Sequence, residues 1–254
     1  MYGLTGKIAV VTGGAAGIGR AIAERFSREG CHLGVVDLSA GMQPLRNADR
    51  PDLKVVFEQA DVGDFASVRN AFANIQAKLG AIDILVNNAG ILKVALLSEM
   101  PVEDWWEMFR VNVHGMWHCS KAALPGMIDR RRGCVINMAS WKGKRGTPFT
   151  GAYCATKAAV ISLTETLALE VGQYNIRVNA ICPGMVEGTE MMREWQQTAR
   201  AMGLPTLEDR ISTMPLGRPA TVADIANMAA FLASAECAYV TGEAVNVTGG
   251  MWMN

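Results

Sequence analysis

The sequence is poor in the residue groupings that build metal centres and nucleophilic triads. It has three histidines, His32, His114 and His118, with neither metal-ligand spacing nor a triad partner, so they read as ordinary side chains. The six cysteines are scattered, with no CxxC pair and no histidine cluster beside them, which excludes the usual zinc and dithiol patterns. They are expected to be small buried apolar residues, reduced in the cytoplasm. Neither sign of charge is in excess: Lys plus Arg and Asp plus Glu are 24 each. No broad field would draw the chain to nucleic acid or an anionic membrane, and the expected partners are small molecules or copies of itself. No apolar run approaches the roughly 18 residues of a membrane-spanning helix. The opening MYGLTGKIAVVTGG lacks a basic segment followed by a signal-type apolar one and reads instead as a first strand. No repeat, low-complexity tract or linker divides residues 1–254, so a single domain is expected.

What the chain does have is alternation. Short β-branched runs at 7–11, 31–37, 54–60, 82–86, 133–140, 176–181 and 243–248 are separated by segments of helical periodicity such as GIGRAIAERFSREG and FASVRNAFANIQAKLG. Strands alternating with helices pair in parallel through right-handed crossovers. The expected fold is therefore α/β, a Rossmann-type, doubly wound, seven-stranded parallel sheet flanked by helices. The pattern breaks between Pro183 and Pro219, and a substrate lid is expected at about 185–218.

Directly after the first strand comes TGGAAGIG, Thr12 to Gly19, which leads into a helix. Glycines there allow a tight turn and let a phosphate reach backbone N–H groups at a helix start. Gly13, Ala16, Gly17, Ile18 and Gly19 are thus candidate cofactor contacts. Asp37 ends the second strand about twenty residues on, where a ribose hydroxyl needs an acceptor. A carboxylate at that position also repels the extra phosphate of NADP, and Gly14, Ala15 and Ala16 offer no basic side chain to hold it, so NAD is the expected cofactor. Asp61-Val62 and Asn88-Ala89-Gly90 follow the third and fourth strands, at carboxyl ends where open parallel sheets place ligands.

The fifth strand is read as ending at Ser140. Beyond it, YCATK sets Tyr153 and Lys157 four residues apart, on one face of a helix. A tyrosine with an ordinary pKa of about 10 is a poor base at neutral pH, and a shift of about three pH units is worth ~4 kcal/mol. A neighbouring ammonium, together with the positive charge of an oxidised nicotinamide, favours the phenolate, and Lys157 is placed to supply the ammonium.

With TGGAAGIG, Asn88-Ala89-Gly90, Asn112 in RVNVHG, Ser140, YCATK and Pro183-Gly184, the whole chain resembles the short-chain dehydrogenase/reductase family. The resemblance implies that Tyr153 exchanges the substrate hydroxyl proton and Ser140 hydrogen-bonds the substrate oxygen. It also implies that Lys157 lowers the tyrosine pKa and holds the nicotinamide ribose, that Asn112 anchors a water linking Lys157 to solvent, and that the backbone of Val186 meets the nicotinamide carboxamide. A homotetramer is implied too, and the apolar stretch from Tyr239 to Asn254 argues independently for association.

Within the family, ASWKGKRGTPFTGAYCATK and the ending GGMWMN look most like polyol dehydrogenases acting on sorbitol or galactitol. Trp141, Lys142, Lys144 and Arg145 would suit an anionic substrate if they face the reactive centre, and a solvated turn or a subunit contact if they do not. Glu187, Glu190, Met191, Met192 and Trp195 on the lid side leave both a polyol and a bulkier alicyclic alcohol open. A non-catalytic NAD-binding regulator is the alternative from another class.

Overall fold

The computed structural model describes residues 2–43, 45 and 52–253. Met1 and Asn254, the ends of the opening strand segment and of the association tail, lie outside the described residues. In chain order the elements are β1 (Ile8–Thr12), α1 (Gly17–Arg28), β2 (His32–Asp37), β3 (Val55–Gln59), α2 (Phe65–Leu79), β4 (Ile84–Asn87) and α3 (Val102–Phe109). There follow α4 (Gly115–Asp129), β5 (Gly133–Met138), α5 (Gly151–Val171), β6 (Ile176–Pro183), α6 (Glu190–Ala201), α7 (Leu207–Ile211), α8 (Val222–Ala233) and β7 (Ala244–Val247).

The strands form one sheet in the order β3-β2-β1-β4-β5-β6-β7, and every pairing is parallel. β1 and β4 are buried along their whole lengths, whereas the edge strands β3 and β7 are not. That is the pattern of a parallel sheet covered on both faces. Because side chains alternate along a strand, Ala9 and Val11 pack with Ile22, Phe26, Ile225 and Ala229 of α1 and α8. Val10 faces the other way, in a cluster with Phe72, Ile75, Cys119 and Met127 of α2 and α4. A buried amide chain crosses the middle of the sheet: Asn87 donates to Asn137 at 2.8 Å, and Asn137 donates to Thr164 at 2.9 Å.

Two features position the site. The strand order reverses between β1 and β4, which opens a crevice at their carboxyl ends. The excursion between β6 and α8 carries α6 and α7 and folds over that end. Its own apolar cluster of Met185, Trp195, Ala199, Leu207 and Met214 packs against Leu92 and Val94 from the loop after β4. The base of the excursion is pinned where Ala220 donates to Met185 and Glu187 donates to Ala220, both at 2.9 Å.

The seven expected strands are all present, with one correction. β5 stops at Met138, two residues short of Ser140, because Ser140 instead accepts from Lys142 N–H at 3.2 Å and caps a short 3-10 turn, Trp141–Gly143.

Candidate active site

The glycine-rich turn is built by sterics and by a long-range clamp. Gly13 and Gly17 have φ of 61° and 54°, a left-handed backbone that glycine adopts without strain. A Cβ at Gly19 would overlap the carbonyl oxygen of Gly13. The turn is held from across the crevice. The N–H groups of Asn88 and Ala89 donate to Thr12 Oγ1 at 3.0 and 3.1 Å, and the Asn88 amide donates to the carbonyls of Thr12 and Gly13, each at 3.0 Å. Asn88, expected as a cofactor contact, therefore spends its amide hydrogens on the loop, although it still lines the cleft.

α1 is preceded by Ala16, whose side chain makes no cap, and its first turn carries no acid. Its leading N–H groups are thus unclaimed by side chains and lie beside the cleft, an arrangement that suits a phosphate. Asp37 is fixed at the end of β2: Oδ2 accepts from Ala15 N–H at 3.0 Å, while Oδ1 accepts from Ser39 N–H at 3.0 Å and from its hydroxyl at 2.8 Å. Asp61, two residues beyond β3, accepts from Gly63 N–H at 2.8 Å and pairs with Arg110 at 2.6 Å. His118 shares a 2.9 Å hydrogen bond with the carbonyl of Val62. The residues present fit a dinucleotide, on the evidence of the glycine cradle and the uncapped helix start.

The cleft, ≈ 520 Å³ in volume, is walled by Gly13, Ala16, Gly17, Ile18, Asn88, Ala89 and Gly90 on one side, and by Ser140, Tyr153 and Lys157 at its floor. Pro183, Gly184 and Val186 close the far side under α6. Gly19, Asp37, Asp61, Val62 and Asn112 are outside its wall.

Tyr153 and Lys157 sit one turn apart on α5. The Lys157 ammonium donates to the Met138 carbonyl at 2.7 Å and lies 5.5 Å from the centre of the Tyr153 ring. Burial pushes the phenol above the usual tyrosine range, and a hydrogen bond with Ser140 opposes it. Burial also pushes Lys157 down to about 8. The ammonium expected to acidify the tyrosine is in place, yet the net direction for the phenol is upward. Both groups are withdrawn from water, and desolvation disfavours the charged form of each.

Asn112, 2% exposed, lies where α3 passes into α4 through a π-helical turn, Arg110–His114. Its Oδ1 accepts from Ile91 N–H at 2.8 Å, and its Nδ2 donates to the Ile91 carbonyl at 2.9 Å and to Thr156 Oγ1 at 3.1 Å. A Cβ on Gly90 would stand 3.2 Å from Asn112 Oδ1 and 3.5 Å from Lys157 Nζ, so these two side chains converge behind the loop after β4.

The basic turn divides. Lys144 donates to the carbonyl of Ala244 at 2.7 Å, and Arg145 lies over Trp252 at 5.2 Å; neither lines the cleft. Only Trp141 and Lys142 do. Trp252 packs against Trp141, 6.4 Å between ring centres, so part of the tail expected to seek a partner chain is covered by its own. Sequence reasoning missed Arg210 of α7 and Phe149, both in the cleft wall. Phe149 has a left-handed φ of 64°, a strained conformation for a bulky residue. Neither carries a local motif that could have pointed to it.

A reversed-order parallel sheet, a cofactor cradle at the reversal and a Ser-Tyr-Lys cluster beside it together define an α/β oxidoreductase of the Rossmann type. Residues 13–252 match the family model described as enoyl-(acyl carrier protein) reductase. A sorbitol dehydrogenase of Cereibacter sphaeroides is 38% identical over 255 residues, 99% of this chain and 99% of its own. A 3-oxoacyl-[acyl-carrier-protein] reductase of Thermotoga maritima is 37% identical over 250 residues, 98% of each. The crystal structure of levodione reductase superposes with a TM-score of 0.90 at 32% identity, covering 97% of both chains. The chain belongs to the short-chain dehydrogenase/reductase family, an enzyme family that acts on CH–OH groups and normally binds a nicotinamide cofactor. Among the described residues no helix is long and apolar enough to cross a membrane.

Proposed function

We propose that this protein is an NAD-dependent oxidoreductase that interconverts a secondary alcohol and its ketone, with Tyr153 passing the proton. The observation that carries the reading is the convergence of Ser140, Tyr153 and Lys157 on the floor of the cleft that the glycine turn also lines. The first turn of α1 would hold the pyrophosphate, and Asp37 the adenosine ribose hydroxyls, against NADP. Asp61 and Val62 would flank the adenine end. Pairing with Ala220 uses the Met185 carbonyl and the Glu187 N–H, which leaves the N–H of Val186 for the nicotinamide carboxamide. When bound, the cofactor supplies the hydride acceptor or donor.

The protein's own residues then handle the oxygen and its proton. Ser140 orients the substrate oxygen. The buried Tyr153 rests as the neutral phenol, ready to protonate a developing alkoxide in ketone reduction. In alcohol oxidation it must instead act as phenolate, and Lys157, held in line by the Met138 carbonyl, favours that form. Asn112 braces Ile91 and with it the Asn88-Ala89-Gly90 loop. α6 and α7 act as a lid that keeps water from the floor.

Similarity to sorbitol dehydrogenase supports a polyol as substrate. The lining, with Leu92, Phe149, Met185, Met192 and Leu204, supports a body more apolar than a polyol. A homotetramer belongs to the same proposal, supported by the exposed Trp117 on α4, Leu169 on α5, Tyr239 and Met253. The test is reduction of NAD and of NADP over a panel of secondary alcohols. Tyr153→Phe is expected to lower kcat by about 10²–10⁴-fold, the contribution of a positioned acid/base, with NADH affinity unchanged. Turnover within tenfold of the parent would sink the assignment.

A further inference from the structure

The cleft holds two cations that the proposed chemistry leaves idle. Lys142 follows Ser140 by two residues, and its backbone N–H is tied to Ser140 Oγ at 3.2 Å. Its ammonium reaches inward, donates to Thr150 Oγ1 at 3.1 Å and lies 6.0 Å from the ring centres of both Trp141 and Trp195. Arg210 comes from the other side, on α7, with its guanidinium 5.7 Å from the same Trp195 ring. Trp141 and Trp195 are each only 9% exposed, so both cations face a largely desolvated aromatic wall.

Among the described residues neither cation takes part in an ion pair. The acids beside Arg210 are committed elsewhere. Asp209 accepts from Thr206 N–H and Oγ1, both at 2.8 Å, and Glu208 takes a hydrogen bond from Gln196 at 3.2 Å and lies 3.8 Å from Arg200. Glu190, at the cleft rim, is exposed and 3.6 Å from Arg193, and Lys157 is engaged with Met138. Arg210 Nε is buried with no hydrogen-bond partner. Two like charges held near each other, one with an unpaired buried donor, cost free energy unless an anion completes the site.

We propose that Lys142 and Arg210 form an oxyanion-binding subsite within the substrate cleft, so that the alcohol or ketone turned over there bears a carboxylate or phosphate. This rests on the reading of the cleft as the alcohol site. The flanking indoles and the apolar lining take the body of the molecule, and the subsite fixes one end so that the carbinol carbon is presented to Ser140 and Tyr153. A cationic pair whose positions are set by packing on Trp195 discriminates by charge, because a neutral acceptor can take a hydrogen bond from Arg210 Nε but offsets neither positive charge.

The test is a calorimetric titration of the NADH-loaded protein with cyclohexanecarboxylate, cyclohexyl phosphate and the neutral cyclohexanecarboxamide. At least one anion is expected to bind tenfold or more tightly than the amide, and the tighter of the two anions distinguishes a carboxylate from a phosphate subsite. In Arg210→Gln and in Lys142→Gln the preference is expected to shrink to threefold or less, with NADH affinity unaltered. Equal binding of anions and amide in the parent, or a preference that survives in both variants, overturns the proposal. So does a matching loss of NADH affinity, which would assign the cations to the cofactor. Because this readout needs no turnover, it stands apart from any failure of the alcohol panel.

Discussion

Lys157→Met removes a charge from the floor of the cleft while keeping an unbranched side chain one atom shorter, and its consequences for activity and stability have opposite signs. The ammonium lies 5.5 Å from the centre of the Tyr153 ring. At an effective dielectric of about 20, a full charge at that distance favours the phenolate by up to about 3 kcal/mol. Converted at about 1.36 kcal/mol per pH unit, this moves the tyrosine by one to two pH units. The parent's Lys157 keeps that charge only up to about pH 8, so in alcohol oxidation the variant should turn over at least tenfold more slowly at pH 7, and the gap should close above pH 8, where the parent's own ammonium is lost.

Stability should move the other way. Lys157 binds its proton only up to about 8 in the folded chain and up to the usual 10.5 when unfolded. The unfolded state therefore holds more protons between those values, and the penalty for the buried charge is fully present below pH 8 and fades toward 10.5. Removing the charge should recover up to about 3 kcal/mol at pH 7, less about 1 kcal/mol for the lost bond to Met138. Urea unfolding at pH 7 and 10, read beside the kcat profile, tests both halves. A folded variant whose rate at pH 7 stays within threefold of the parent's would refute the electrostatic reasoning.

Asp37→Ala should lower the ratio of kcat/KM for NAD over NADP at least tenfold in steady-state kinetics, because the hydroxyl acceptor and the repulsive charge vanish together; an unchanged ratio would show that the ribose lies elsewhere. Asn112→Ala should destabilise the fold by about 2–3 kcal/mol in urea unfolding, since the N–H and carbonyl of Ile91 both lose their partner. A loss below about 0.5 kcal/mol would mean that water replaces the amide without cost.

The readable parts of this fold were those encoded within a few residues of one another. Period-two and period-3.6 patterning placed all seven strands, and the TGGAAGIG turn announced itself because the glycines and the following helix are contiguous. The Tyr153–Lys157 pair was legible for the same reason. What escaped depends on closure over distance. Nothing near Arg210 marks it as a cleft residue; it becomes one only because α7 docks through Leu207 into the cluster around Trp195. Lys142, Lys144 and Arg145 look equivalent in sequence, yet the 3-10 turn that Ser140 caps aims the first inward and sends the others to Ala244 and Trp252. Asn88 lines the cleft as its place after a strand suggests, but nothing near it in sequence shows that its amide hydrogens go to Thr12 and Gly13. The approach of an ammonium to the phenol is visible in spacing, whereas the loss of solvent that pushes the phenol the other way is not.

The clamp between Thr12 and Asn88 makes the nucleotide cradle a joint product of two strands with α1, β2, β3 and α2 between them in the chain. β2 holds the glycine turn at Gly13 and Ala15, but the four hydrogen bonds from Asn88 and Ala89 form only once β4 has docked beside β1. Affinity for the dinucleotide thus becomes a gauge of completed tertiary assembly, and a ligand bound there stabilises only chains that have already closed this long-range latch.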